Sequence, residues 1–210
     1  MKPQPILCLA LVLSGICHAA IIFPEAPEEG WQFASNKISE AIQQFPNVHK
    51  GLRVEDLTTT NALKVYVSSP RDIVSGKLLA SAKCNGWQYL YARGTNAVFS
   101  VWMGLDPKDG KLIKRAGVSE GDFYQSILIR LQKVGELPQV QKQDYECRYL
   151  SSPFLFQAIW LHGKSDDIVI PLPPTWNEWN AYQPYSESEI TKLLKPAAEN
   201  RLKQPPGIPD

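Results

Sequence analysis

The chain has 210 residues, of which 44% are hydrophobic, 10% aromatic and 20% charged. This composition is typical of a globular protein and excludes a disordered, collagen-like or multi-span membrane chain. The 22 basic and 21 acidic side chains give a net charge of +1, so there is no excess of positive charge to bind nucleic acid or an anionic membrane. The 17 prolines argue against long coiled coils and helical repeats.

The N-terminal segment has the layout of a cleavable export signal. Lys2 supplies the positive start, Ile6–Ile16 is an uncharged and mostly apolar stretch, and Ala19 and Ala20 follow. The apolar stretch is shorter than the roughly 18 residues that an anchoring helix needs. We therefore expect residues 1–19 to be a signal peptide that is removed, which predicts a periplasmic or secreted protein. An uncleaved N-terminal anchor is the alternative.

Removal of the signal leaves two of the 4 cysteines, Cys84 and Cys147. In an oxidising compartment a single pair of cysteines is expected to cross-link, so the sequence predicts a Cys84–Cys147 disulfide. Free or metal-binding thiols are the alternative. A tetrahedral zinc site would need two further ligands, and only His49 and His162 remain to supply them.

The first half of the mature chain predicts three helical segments and four strands. Apolar residues at helical spacing predict an amphipathic helix over 31–45, and alternation of apolar and polar residues predicts a strand over 63–67. Ser69-Pro70 predicts a short capped turn of helix. Beyond it the pattern predicts a hairpin of two strands over 87–91 and 97–103, a short strand over 112–114 and a capped helix over 120–134.

The second half begins with three predicted strands. Aromatic and β-branched runs predict them over 145–150, 154–162 and 168–172. Proline cannot donate a hydrogen bond to a neighbouring strand, and the last of these runs contains or precedes three prolines. We therefore expect the last strand to lie at an edge of the sheet.

The chain ends with a predicted helix and a tail. Ser186, with an acidic residue three positions later, is a typical N-cap. Pro196 is expected to kink or break this helix, because it has no N–H to donate. Residues 204–210 have no pattern of core residues and are expected to form a flexible tail.

The order of the elements favours an α+β fold over a parallel α/β fold, because strands come in adjacent pairs. We expect a single domain over residues 20–203, in which an antiparallel or mixed sheet of about six strands packs against three helices. The shared order of elements also raises the hypothesis that 87–134 and 145–203 are two repeated ββα units. Chance similarity between two ordinary units is the alternative.

No catalytic or cofactor motif stands out. Gly104 to Gly110-Lys111 has the wrong spacing for a phosphate-binding loop. His162 lies near Asp166 and Asp167, which suits a metal site or a catalytic dyad, but a polar strand end followed by an acidic turn explains the same residues. The sequence therefore predicts no catalytic residue, no metal and no cofactor, although carboxylate pairs that act in hydrolysis leave no fixed spacing.

The segment 174–185 is the candidate binding surface. Trp176, Trp179, Tyr182 and Tyr185 fall at steps of three, with asparagine, glutamate and glutamine between them. Flat rings beside hydrogen-bonding side chains suit recognition of sugars, peptides or aromatic groups. In the alternative interpretation the rings fold back onto the sheet and join the core, since each can bury about 150–250 Å².

These observations favour an exported binding or interaction protein without enzymatic activity. Its partner would be an unidentified protein, peptide or carbohydrate and not a nucleic acid, and no membrane span is expected once the signal is removed. Two alternatives stay open. One is a structural accessory protein of a cell-envelope assembly, and the other is an exported hydrolase that uses carboxylates.

Overall fold

The computed structural model of the chain describes residues 20–59, 61–94, 96–120, 127, 130–131, 133–153, 155–175 and 179–204. The fold is α+β, as the sequence predicts. Its mixed sheet has nine strands along the described residues and is therefore larger than expected. The strands are β1 (Ile21–Ile22), β2 (Thr58–Thr59), β3 (Leu63–Val67), β4 (Lys83–Arg93), β5 (Asn96–Leu105), β6 (Leu112–Glu120), β7 (Tyr145–Ser152), β8 (Phe156–Gly163) and β9 (Asp167–Pro171).

Three α-helices are described along their whole length: α1 (Glu28–Gln44), α2 (Pro70–Val74) and α3 (Glu187–Lys203). Short 3-10 helices lie at Val54–Asp56 and Pro138–Lys142. The helix predicted over 120–134 lies largely outside the described residues. Its first residue belongs to β6, and the described residues from 127 to 134 are helical. In the described parts of the chain, no helix has the length and apolar character required to cross a membrane.

Two of the predicted helix caps, at Ser69 and Ser186, are formed. Ser69 N donates to the Asp72 carboxylate at 2.9 Å, and Asp72 N donates back to Ser69 Oγ at 3.3 Å, at the start of α2. Ser186 and Glu189 form the same reciprocal pair at the start of α3, at 2.8 and 3.3 Å. These pairs satisfy backbone donors that a helix start leaves without partners.

Pro196, which was expected to kink or break the last helix, lies inside α3 without breaking it. A proline removes the hydrogen bond to the carbonyl four residues earlier, which here belongs to Lys192. Both residues are exposed, so water can solvate that carbonyl. The helix continues because its opposite side, which includes Ile190, Leu194 and Ala198, is buried against the sheet.

The centre of the sheet is a parallel pair of strands. The order across the sheet is β6-β5-β4-β3-β7-β8-β9, in which β3 and β7 are parallel and the other neighbours are antiparallel. Short β1 pairs with the start of β7, and short β2 pairs with the end of β4. β9 lies at one end of this order, as predicted, although Val169 also bridges to Tyr185.

Apolar clusters lie on both faces of the sheet. On one face, which we call the helix face, α1 packs through Ala34 and Ile38 over aromatic residues of β4 and β5. On the same face α2 and α3 pack over β8 and β9. Ile127, Val134 and Val140 cover the centre of the opposite face. The segment after β6 and the helix after β9 therefore pack on opposite faces.

The hypothesis of a repeat is supported by the strands but not by the helices. β4-β5-β6 and β7-β8-β9 are both antiparallel meanders that run outward from β3. A twofold axis perpendicular to the sheet would relate them, and it would leave both following helices on one face. Because those helices lie on opposite faces, the duplication stays a hypothesis.

The predicted disulfide does not form. Cys84 is exposed and Cys147 is buried, and both are free thiols. Cys84 pairs with Tyr66 across β3 and β4, so both side chains lie on the helix face. Lys64 lies two residues before Tyr66 in β3 and so shares the helix face, and Arg148 pairs with Lys64 and lies there too. Cys147 is the neighbour of Arg148 in β7, so its side chain points to the opposite face. The sheet itself separates the two sulfur atoms.

We expect Cys84 to react with a thiol-specific alkylating reagent in the native protein, while Cys147 reacts only after unfolding. Burial raises the pKa of the Cys147 thiol, so its reactive thiolate is scarce as well as inaccessible. Peptide mass spectrometry of protein labelled without reductant, before and after denaturation, measures both. Cys84→Ser should abolish the native labelling. If neither cysteine takes up the reagent in unfolded, unreduced protein, the chain contains the disulfide after all.

Candidate functional site

A cavity of about 1010 Å³ opens at the carboxyl ends of β3 and β7. Its volume is at the upper end of the range for pockets that bind small molecules, roughly 300–1,000 Å³. The apolar part of its wall comes from the end of β3, the start of α2, the approach to β4 and the turn after β7. These residues are Val67, Pro70, Ala80, Ala82 and Pro153.

The topology of the sheet explains why a crevice forms here. β3 and β7 are parallel neighbours, but the chain leaves them in opposite directions. From β3 it passes through α2 to β4 on one side, and from β7 it turns directly to β8 on the other. A crevice outside the carboxyl ends of strands whose connections diverge is the usual ligand position in open sheets with parallel strands.

Polar groups on the cavity wall carry a net positive charge. Lys83 and Arg201 line it, as do Asn85 and the serines at 68, 69 and 81. Asp72 is the one acidic residue among the described residues of the wall. The wall therefore contains two cationic side chains, of which Arg201 also donates to Gln204, and one carboxylate.

The Asp72 carboxylate is already engaged by the protein. It accepts hydrogen bonds from the Ser69 hydroxyl at 2.6 Å and from the Ser69 amide at 2.9 Å. These bonds hold the pKa of Asp72 below its usual range, and Lys83 contributes in the same direction. A carboxylate that is held ionised is a poor proton donor. The cavity is thus suited to recognising an acidic group and not to general acid catalysis by Asp72.

Arg148 is the centre of a second charged cluster on the helix face, between the region covered by α1 and the region covered by α3. Its guanidinium lies 4.6 Å from the ring of Tyr66 and 4.6 Å from the ring of Trp160. Its Nε donates to Glu146 Oε1 at 2.8 Å. Lys64 Nζ lies 3.9 Å from the same oxygen. We call this group of five residues the Arg148 stack.

Burial alone would raise the pKa of Glu146, but the hydrogen bond and positive charge of Arg148 outweigh it. Together with the charge of Lys64 they hold the pKa of Glu146 below its usual range. Burial also raises the pKa of the Tyr66 hydroxyl, against the charge of Arg148. In the stack two cations share one carboxylate and the two rings face the guanidinium, an arrangement typical of a stabilising network.

His162 lies in β8, two residues after Trp160 of the Arg148 stack. Its Nδ1 lies 2.8 Å from Asp167 Oδ1, and Trp160 Nε1 donates to the same oxygen at 2.9 Å. Asp166 instead accepts a hydrogen bond from Tyr145 Oη at 2.6 Å. Of the two carboxylates that the sequence places near His162, the structure pairs it with Asp167. No group of three or more His, Cys, Asp and Glu side chains able to hold a metal lies in the described residues.

The described rings of the segment 174–185 do not lie together on the surface. Trp179 is 4% exposed and Tyr185 is 9% exposed, and both belong to the cluster under α3. Tyr185 also accepts a hydrogen bond from Asn180 N at 3.0 Å through its hydroxyl. Tyr182 is 37% exposed and lies 5.9 Å from the Arg130 guanidinium. Trp176 lies outside the described residues.

A stacking role for Trp179 or Tyr185 would therefore require their release from the core, whereas Tyr182 already faces solvent. The ligand-binding role of the four rings stays a prediction. Their burial follows from the path of the segment. The bridge between Val169 and Tyr185, with backbone hydrogen bonds of 2.8 and 2.9 Å, ties the end of the segment to β9 beneath α3.

Comparison of the chain with protein-family models, with curated proteins and with solved structures finds no match. The candidate site therefore rests on the residues of this chain and their geometry. No local pattern in the sequence indicates the cavity. The capped turn at Ser69 was a visible signal for α2, but the cavity also needs the turn at Pro153, which only the parallel pairing of β3 and β7 brings close.

Proposed function

We propose that the chain is exported and acts as a binding protein without enzymatic activity, and that its ligand occupies the cavity at the carboxyl ends of β3 and β7. The signal-like N-terminal segment supports export. The cavity lies where the connections that leave the two parallel strands diverge, and this position is the observation that carries the binding function.

The wall of the cavity favours a ligand with an acidic group on a partly apolar body. Lys83 and Arg201 supply positive charge, and the alanines and prolines of the wall supply apolar surface. Guanidinium and ammonium groups bind carboxylate and phosphate through strong, charge-assisted hydrogen bonds. A small organic acid or the acidic end of a peptide fits this chemistry.

The same wall argues against the hydrolase alternative at this position. Hydrolysis by carboxylates needs two acidic groups, one of them able to donate a proton. Asp72 is the one carboxylate among the described wall residues, and its hydrogen bonds to Ser69 favour the ionised form. An accessory role in an envelope assembly would use a free sheet edge instead, and the bridge to Tyr185 occupies part of the β9 edge.

Filling the cavity with Ala80→Trp tests the binding function. Thermal unfolding is followed with a panel of small carboxylic acids, sugar phosphates and short acidic peptides. A member that binds should stabilise the protein by about 2.7 kcal/mol at a hundredfold excess over its dissociation constant. Ala80→Trp should remove that stabilisation and change the unliganded protein little, because Ala80 is exposed.

Thr59→Trp is the matched control, because it adds the same ring at an exposed position in β2, away from the cavity wall. This variant should respond to the ligand as the wild type does. The proposal fails if no member of the panel stabilises the wild type. It also fails if Ala80→Trp binds as tightly as Thr59→Trp.

A further inference from the structure

The start of the described chain is held by one carboxylate. Ala20 N donates to Asp144 Oδ1 at 2.7 Å, across more than half the length of the chain. The Ala20 carbonyl accepts from Tyr145 N at 3.0 Å. Ile21 and Ile22 then pair in parallel with Tyr145 and Glu146. Ala20, where the described chain begins, therefore contacts both an acidic side chain and the backbone of β7.

We propose that the chain is cut between Ala19 and Ala20, and that Asp144 is the binding site for the α-ammonium group that the cut creates. This inference rests on the proposed export. An endopeptidase of the export machinery would hydrolyse the Ala19–Ala20 peptide bond with one water. The hydroxyl of that water goes to the Ala19 carbonyl and its hydrogen to the Ala20 nitrogen, which takes up a proton from solvent at neutral pH.

The contact becomes stronger when the bond is cut. Before the cut, Ala20 offers one neutral amide donor to Asp144. Afterwards it offers an ammonium group with three donors and a positive charge to the same oxygen, and a charge-assisted hydrogen bond is roughly twice as strong as a neutral one. A cut one residue later would remove Ala20 and both of its hydrogen bonds. The geometry therefore favours a mature chain that begins at Ala20 over one that begins at Ile21.

The test uses the full chain, exported from a bacterium with its own leader. Intact mass of the periplasmic protein should correspond to a chain that begins at Ala20. The rate at which an acylating reagent modifies the Ala20 amine is then measured against pH. Because the Asp144 carboxylate favours the charged form of the Ala20 amine, the pKa of that amine should lie above the value of about 7.7–8.0 that is usual for an α-amino group.

At pH 7 the Ala20 amine of the wild type should react about twofold to fivefold more slowly than that of Asp144→Asn, the range expected for an exposed ion pair. Asp144→Glu keeps the charge and should remain slow. Glu136→Gln removes another exposed carboxylate and should behave as the wild type does.

Two results would overturn the proposal: a mature chain that begins at another residue, or equal rates in the wild type and Asp144→Asn. If the protein is not recovered from the periplasm, the proposed export falls as well. If the protein is exported but begins elsewhere, only the role of Asp144 falls, and the cavity experiment is unaffected.

Discussion

Replacing Trp179 with alanine is expected to lower the free energy of unfolding by about 3–5 kcal/mol, the range for a large aromatic side chain removed from a packed core. Trp179 is 4% exposed and belongs to the cluster that includes Ile190 and Leu194 of α3. Its removal would leave a cavity under that helix. Urea denaturation followed by circular dichroism measures the change, with a lower midpoint at an unchanged slope.

Tyr182→Ala is the matched control, because it removes another ring from the same segment. Tyr182 is 37% exposed, and its ring contacts the Arg130 guanidinium at 5.9 Å. Its loss should cost less than about 1 kcal/mol, as is usual for surface substitutions. If Trp179→Ala instead retained full stability and lost a ligand, the ring would belong to a binding surface, as the spacing of the four aromatic residues first indicated.

The elements that the sequence predicts correctly depend on signals within a few residues of one another. The capping pairs Ser69 with Asp72 and Ser186 with Glu189 are three residues apart, and both define helix starts. The alternation over 63–67 matches β3, and the hairpin is present with longer strands. Local pattern therefore predicts most of the elements of the fold.

The pairings that place the cavity are not local. β3 pairs in parallel with β7, so Val67 lies beside Ser151, far along the chain. The two-residue strands β1 and β2 are too short to show a period. The disulfide prediction failed for the same reason, since spacing along the chain does not reveal which face of the sheet each cysteine occupies. Local sequence pattern therefore predicts the capped helix α2 of the candidate site, but not the strand pairing that completes the site.

Replacing Arg148 with methionine is the second change for which we expect a large effect, about 2–4 kcal/mol of unfolding free energy. Removing one partner of a buried ion pair costs about 3–5 kcal/mol, and the cost is lower here because Glu146 is partly exposed. Methionine retains much of the apolar length of the side chain but loses the contacts of the guanidinium with the rings of Tyr66 and Trp160. Chemical denaturation at several pH values measures the difference.

The pH dependence separates a lost charge pair from lost packing. In the wild type the pKa of Glu146 is depressed, so its contribution to stability is present above the pKa of the unfolded chain and is lost as pH falls through the folded pKa. Without Arg148, the burial of Glu146 is opposed mainly by the charge of Lys64, so the pKa of Glu146 is depressed less or not at all. The stability difference should therefore be largest near pH 7 and shrink toward about pH 3.

Arg53→Met is the matched control for this pair. Arg53 also pairs with a carboxylate, that of Asp56 at 3.0 Å, but its side chain is 74% exposed, against 13% for Arg148. A fully exposed pair of this kind contributes little to stability, because solvent screens it, so Arg53→Met should change the unfolding free energy far less than Arg148→Met does. Equal losses in the two variants would show that burial between the rings adds nothing to the pair. A loss in Arg148→Met that is constant with pH would assign the effect to packing alone.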